Sequence, residues 1–90
     1  MDYKEIQTAT VSLYLQLELR RRALQEVSAV EAASWLERAG ILTDSRHRPG
    51  LPLRNLLRSG LILGQRQESG RWWFIDRIEL RSVDFRRAGG

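Results

Sequence analysis

The chain has no cysteine. That excludes a disulfide, a thiolate nucleophile and cysteine-ligated zinc. Lysine and histidine occur once each, as Lys4 and His47. A single histidine between Arg46 and Arg48 has no second ligand beside it, so it reads as a solvated side chain and no metal site is expected. No apolar run approaches the roughly 20 residues of a membrane helix, and no basic-then-apolar leader opens the chain. A cytoplasmic protein with no membrane partner is expected. There is no glycine-rich phosphate loop, no metal-ligand spacing and no activated nucleophile. Asp76, Glu79 and Asp84 sit among arginines along one segment and read as a salt-bridged strand face. The chain is therefore expected to be no enzyme and to need no cofactor.

What is present is arginine, unevenly placed. Fourteen of the fifteen basic residues are arginine, and the net charge is +4. Residues 1–27 are neutral overall and residues 28–45 carry −2, whereas residues 46–71 hold Arg46, Arg48, Arg54, Arg58, Arg66 and Arg71 against Glu68 alone. Arginine suits bidentate contacts to phosphate and guanine. Its preference over lysine also follows from genomic base composition; its clustering is less easily explained that way. Ninety residues, 42% of them hydrophobic, suffice for one domain with a modest core. A single domain over 1–90 is expected, with its core in 10–80 and flexible ends at 1–8 and 86–90.

The local patterns divide the chain into elements. Val11, Leu13, Leu15, Leu17 and Leu19 alternate with Ser12, Tyr14, Gln16 and Glu18. A two-residue period predicts a strand with the leucines on one face, ended by a solvated Arg20-Arg21-Arg22 turn. Ser28-Ala-Val-Glu31 is a capping box that opens a helix, with Val27 placed for a hydrophobic staple. Gly40 suits the residue after the helix end, and Trp35 reads as core. Ile41 to Gly50 is a polar loop whose Ile41 and Leu42 turn inward. Pro52 fits the first turn of a second helix over 51–59. Its buried stripe is Leu53, Leu56 and Leu57, leaving Arg54, Asn55 and Arg58 elsewhere, and Gly60 closes it. Leu61-Ile-Leu, then Gly64 to Gly70, then Arg71-Trp-Trp-Phe-Ile75 predict a β-hairpin. Its second strand could run on through Ile78 and Leu80, with Val83 and Phe85 extending it or opening a last element.

Glu31-Ala-Ala-Ser-Trp-Leu, Leu53-Arg-Asn-Leu-Leu-Arg-Ser-Gly-Leu-Ile62 and Gly70-Arg-Trp-Trp-Phe-Ile75 together resemble the excisionase and MerR-type winged helix-turn-helix DNA-binding domain, over about half of the chain. The resemblance implies an α+β fold, a small winged helix-turn-helix with a β-hairpin wing, here with an extra N-terminal strand. It also implies transcription-regulator or recombination-type DNA binding. The second helix would enter the major groove through Arg54, Asn55 and Arg58. Gln65, Arg66, Gln67 and Arg71 would be wing residues. The family joins its two helices by a tight turn; here ten residues lie between Gly40 and Leu51.

Two functions follow as expectations. In the first, double-stranded DNA is the partner: Arg54 and Arg58 suit guanine and Asn55 adenine, while Arg46, Arg48, Arg66 and Arg71 neutralise phosphates. A short reading helix would favour a dimer. In the second, the domain is a protein-interaction module or homodimer, docking through the N-terminal strand or the Trp72-Trp73-Phe74 strand, because fold does not fix function. RNA binding is a minor third. Arginines free of carboxylates at 54, 58, 66 and 71 would favour DNA; arginines each against Glu or Asp would favour a protein partner.

Overall fold

Residues 11–19 form no strand. They lie within a helix, α1 (Tyr3–Arg21), in a computed structural model that describes residues 3–78. Alternation misleads here because every second residue contains two sets at four-residue spacing. Val11, Leu15 and Leu19 form one set and are fully buried; Leu13 and Leu17 form the other and are about half exposed. On a helix the two sets fall on opposite sides. Leu, Gln, Glu and Arg favour the helix, no Gly or Pro precedes Gly40, and 19 residues far exceed a usual strand. The helix already includes much of the N-terminal stretch expected to be flexible. It closes with Ala23 in the left-handed region (φ 58). Leu24 N–H donates to the Leu19 carbonyl and Ala23 N–H to Arg20, the paired bonds of a Schellman end.

Arg20 and Arg21 belong to the last turn of α1 and Arg22 follows it; Arg21 and Arg22 are exposed, as expected, but none of the three is without a partner. Arg21 and Arg22 both donate to the Glu18 carboxylate, the Arg22 guanidinium lies 4.3 Å over the Trp35 ring, and Arg20 donates to the Ile78 carbonyl at 2.7 Å.

Strand β1 (Glu26–Ser28) leads into helix α2 (Ala29–Arg38). Ser28 caps the helix, its hydroxyl accepting from Glu31 N–H at 3.3 Å. Trp35 is buried as expected. Gly40 (φ 74) follows, and Ile41 N–H returns to the Leu36 carbonyl while the Ile41 and Leu42 side chains pack on the core. Helix α3 (Leu51–Leu57) buries Leu53, Leu56 and Leu57. The hairpin is β2 (Gln65–Glu68) and β3 (Trp72–Asp76). Its first strand is not the apolar Leu61-Ile-Leu segment but the polar stretch after Gly64 that was expected as turn. Residues 61–64 bend instead, held by the bonds of Leu63 N–H to Ser12 and of Ile62 N–H to Gln65. Ser69 and Gly70 both have positive φ and Arg71 N–H closes on the Glu68 carbonyl, as a type I′ turn requires.

The result is a small α+β fold of winged-helix kind: three helices and one antiparallel sheet, ordered β1-β3-β2. β1 forms one edge of the sheet, and its Val27 pairs with Ile75. The core lies between α1, α2, α3 and the inner sheet face, where Ile75 is buried and Trp73 packs against it. β3 ends at Asp76; the expected continuation through Leu80, Val83 and Phe85, together with Glu79, Asp84 and residues 86–90, lies outside the described residues.

Buried polar side chains of α1 tie it to the hairpin. Gln16 donates to the carbonyls of Leu63 and Asp76 and accepts from Ile78 N–H. Ser12 accepts from Leu63 N–H at 3.0 Å. Gly64 (φ 83) passes so close that a Cβ there would overlap the Asp76 carbonyl.

Candidate nucleic-acid interface

α3 and the hairpin meet along a groove completed by the start of α2. The loop before α3 sets that helix's position. Asp44 Oδ1 accepts from Ser45 N–H at 2.8 Å and from Gly50 N–H at 2.9 Å, folding residues 44–50 around one carboxylate. Gly50 (φ 88) then starts α3 against Val30; a Cβ there would sit 3.3 Å from the Val30 Cγ2. The ten-residue insertion is thus a clipped loop rather than a slack one. Its Arg46, His47 and Arg48 side chains are exposed.

The groove has a volume of about 90 Å³ and is lined by Ser28, Ala29 and Val30, by Arg54 of α3, and by Arg71, Trp72, Trp73 and Phe74. Arg54 is half-buried, and its Nε is shielded from solvent with no hydrogen-bond acceptor among the described residues. An unmatched charged donor of this kind is costly unless an acceptor arrives. Arg71 is exposed and lies 5.4 Å over the Trp72 ring. Trp72 is 60% exposed. Arginine stacked on tryptophan keeps its edge free to bond an anion.

The remaining candidates divide. Asn55 and Arg58 are both exposed on α3, and Arg58 NH1 donates to Asn55 Oδ1 at 2.7 Å, so the pair presents one shared edge. Gln67 is exposed on β2. Two wing candidates have structural partners. Gln65 turns inward: its Oε1 accepts from Ile62 N–H at 3.0 Å and its Nε2 donates to the Leu57 carbonyl at 2.8 Å, fastening the end of α3 to the hairpin. Arg66 is held by Asp76 on β3, Glu26 on β1 and Glu68 on its own strand, and lies 4.8 Å over the Phe74 ring. Hydrogen bonding to Asp76, then to Glu68, raises its guanidinium above the ordinary arginine value. With three carboxylates around it, Arg66 offers little charge to a phosphate.

Of the four arginines that discriminate the two functions, Arg66 is paired, whereas Arg54, Arg58 and Arg71 have no carboxylate partner among the described residues. Asp76 was legible as a salt-bridging residue, but which arginine it pairs with was not, since the partners of Arg66 come from three separate strands. Asp44 as the clip for α3 was missed, whereas the aromatic strand had been offered as a docking face, of which Trp72 is the exposed member. The Asp44-x₅-Gly50 polar loop was the available signal for the clip. Trp72 and Phe74 face away from the core, as alternation along β3 requires, and α1 does not cover them. Among the described residues no group of three or more His, Asp or Glu is placed to hold a metal ion, and no helix is long and apolar enough to cross a membrane. Comparison with protein families, with characterised proteins and with solved structures finds no match.

Proposed function

We propose that this chain binds double-stranded DNA, with α3 set toward the major groove and the β2–β3 hairpin along the backbone. The observation that carries the reading is the shared groove of Arg54 and Arg71. Among the described residues both lack a carboxylate partner and the Arg54 Nε has no acceptor. A phosphate oxygen would supply it. Asn55 and Arg58 lie exposed on the same short helix and would face base edges. Arg46, Arg48 and Gln67 would add outer backbone contacts. Gln65 and Arg66 would act indirectly, by holding the hairpin to α3. The role is one of binding rather than catalysis.

A second reading has one observation in its favour. Trp72 at 60% and Val30 at 52% exposure make the groove rim apolar enough to take a protein side chain. That would make the domain an interaction module without nucleic acid.

Fluorescence anisotropy of a labelled random duplex separates the two. Wild type should bind with micromolar affinity, and with log K falling on log salt with a slope of about −3 to −5, as for a handful of phosphate contacts. An Arg54→Ala, Arg71→Ala variant should lose about tenfold or more at low salt. No binding at low salt would discard the DNA reading and leave the protein module.

A further inference from the structure

The outer side of α1 takes no part in the groove on which both proposed readings rest. Ile6, Leu13 and Leu17 are 48%, 57% and 53% exposed, and together with Thr10 they recur at spacings of four, three and four residues. That is the spacing of a seam between paired helices. The stripe lies opposite the buried Val11, Leu15 and Leu19, so it has no role in this chain's core. Ile6, Leu13 and Leu17 together present on the order of 300 Å² of apolar surface, the size of the largest patch on an ordinary monomer and commonly functional.

We propose that this stripe is the interface of a twofold dimer of this chain, with two α1 helices packed antiparallel and Leu13 near the axis. The argument for a second copy is self-complementarity. From Ile6 to Leu17 the stripe carries no charge. Thr10, its one polar member, already donates its hydroxyl to the Ile6 carbonyl at 3.0 Å, so burial leaves no unmatched donor. Charge stands toward the ends, Lys4 and Glu5 at the start of α1 and Glu18, Arg20 and Arg21 near its close, where Glu18 is already bonded to Arg21. Antiparallel pairing about Leu13 sets Ile6 against the partner's Arg20 end, with helix dipoles opposed. Parallel pairing would stack the arginines of both copies. The inference is independent of DNA binding.

Sedimentation equilibrium from low to high micromolar concentration tests it. Wild type should be dimeric at the upper end. Leu13→Glu with Leu17→Glu should be monomeric with unchanged circular dichroism and melting, because both positions are exposed. The chain has no cysteine of its own, so Leu13→Cys should cross-link between copies on oxidation whereas Ile6→Cys should not. A wild type that stays monomeric, or a double variant that stays dimeric, overturns the proposal. Equal cross-linking of Ile6→Cys overturns the antiparallel arrangement. A monomer whose Leu13→Cys resists alkylation also overturns it, because the stripe is then covered by this chain's own remaining residues.

Discussion

Three single residues are testable by stability alone. Gly64 has φ 83 and no room for a Cβ against the Asp76 carbonyl and the Gln16 amide. Gly64→Ala should cost about 2 kcal/mol or more in chemical denaturation, combining left-handed strain with a backbone clash. Ala23 is the opposite case. It holds a left-handed φ of 58 that glycine adopts freely. Ala23→Gly should raise stability by about 0.5–1 kcal/mol, the relieved strain exceeding the added freedom of the unfolded chain. Glu18 is held from an ordinary 4.5 down to about 2 by hydrogen bonds from Arg21 and then Arg22. A carboxyl with a depressed folded value contributes stability that is whole above its unfolded value and is lost as pH falls through the folded one. Melting temperature should therefore drop between about pH 5 and pH 2, and Glu18→Gln should flatten that part of the profile.

At the scale of elements, α3 depends on what holds it. Seven residues make a helix too short to persist alone. Leu53, Leu56 and Leu57 bury one side, Asp44 clips the entry through Gly50, and Gln65 fastens the exit through Leu57. Asp44→Ala should raise hydrogen-exchange rates at Gly50 and through α3 while leaving α1 protected. The hairpin offers a sharper contrast. Arg66 is engaged across all three strands and Arg71 is free of carboxylates among the described residues. Arg66→Ala should lower the melting temperature with little change in duplex affinity at a temperature where the fold holds. Arg71→Ala should weaken binding with little change in melting. The reverse pattern would show that the wing contributes charge through Arg66. Apart from β2, the elements after residue 28 were legible because each carries its own punctuation: Ser28 and Glu31 at one helix start, Gly40 and Gly60 after helix ends, Ser69-Gly70 at the turn. α1 was not, because apolar residues on two opposite sides of a helix write the same alternating pattern as one face of a strand.

For the whole molecule, the excess of positive charge in residues 46–71 survives folding only in part. Pairing with acidic neighbours takes Arg66 out of it, and the charge left exposed stands on the 46–48 loop, α3 and the hairpin tip. If those arginines carry the DNA reading, the salt slope should fall by about one unit for each phosphate-contacting arginine removed, and Arg66→Ala should leave it unchanged. The sequence by itself determined the helices α2 and α3, the Ser28 cap, the hairpin turn with its aromatic strand and the presence of a basic segment, because these follow from near neighbours. The first hairpin strand was misplaced onto residues 61–63 because Gln65–Glu68 is polar. Only the tertiary structure decided which arginines stay free, which side of α1 is core and where the groove lies. Those outcomes depend on Glu26, Asp76, Gln16 and Leu63 meeting residues 10 to 60 positions away, and no local pattern encodes such encounters.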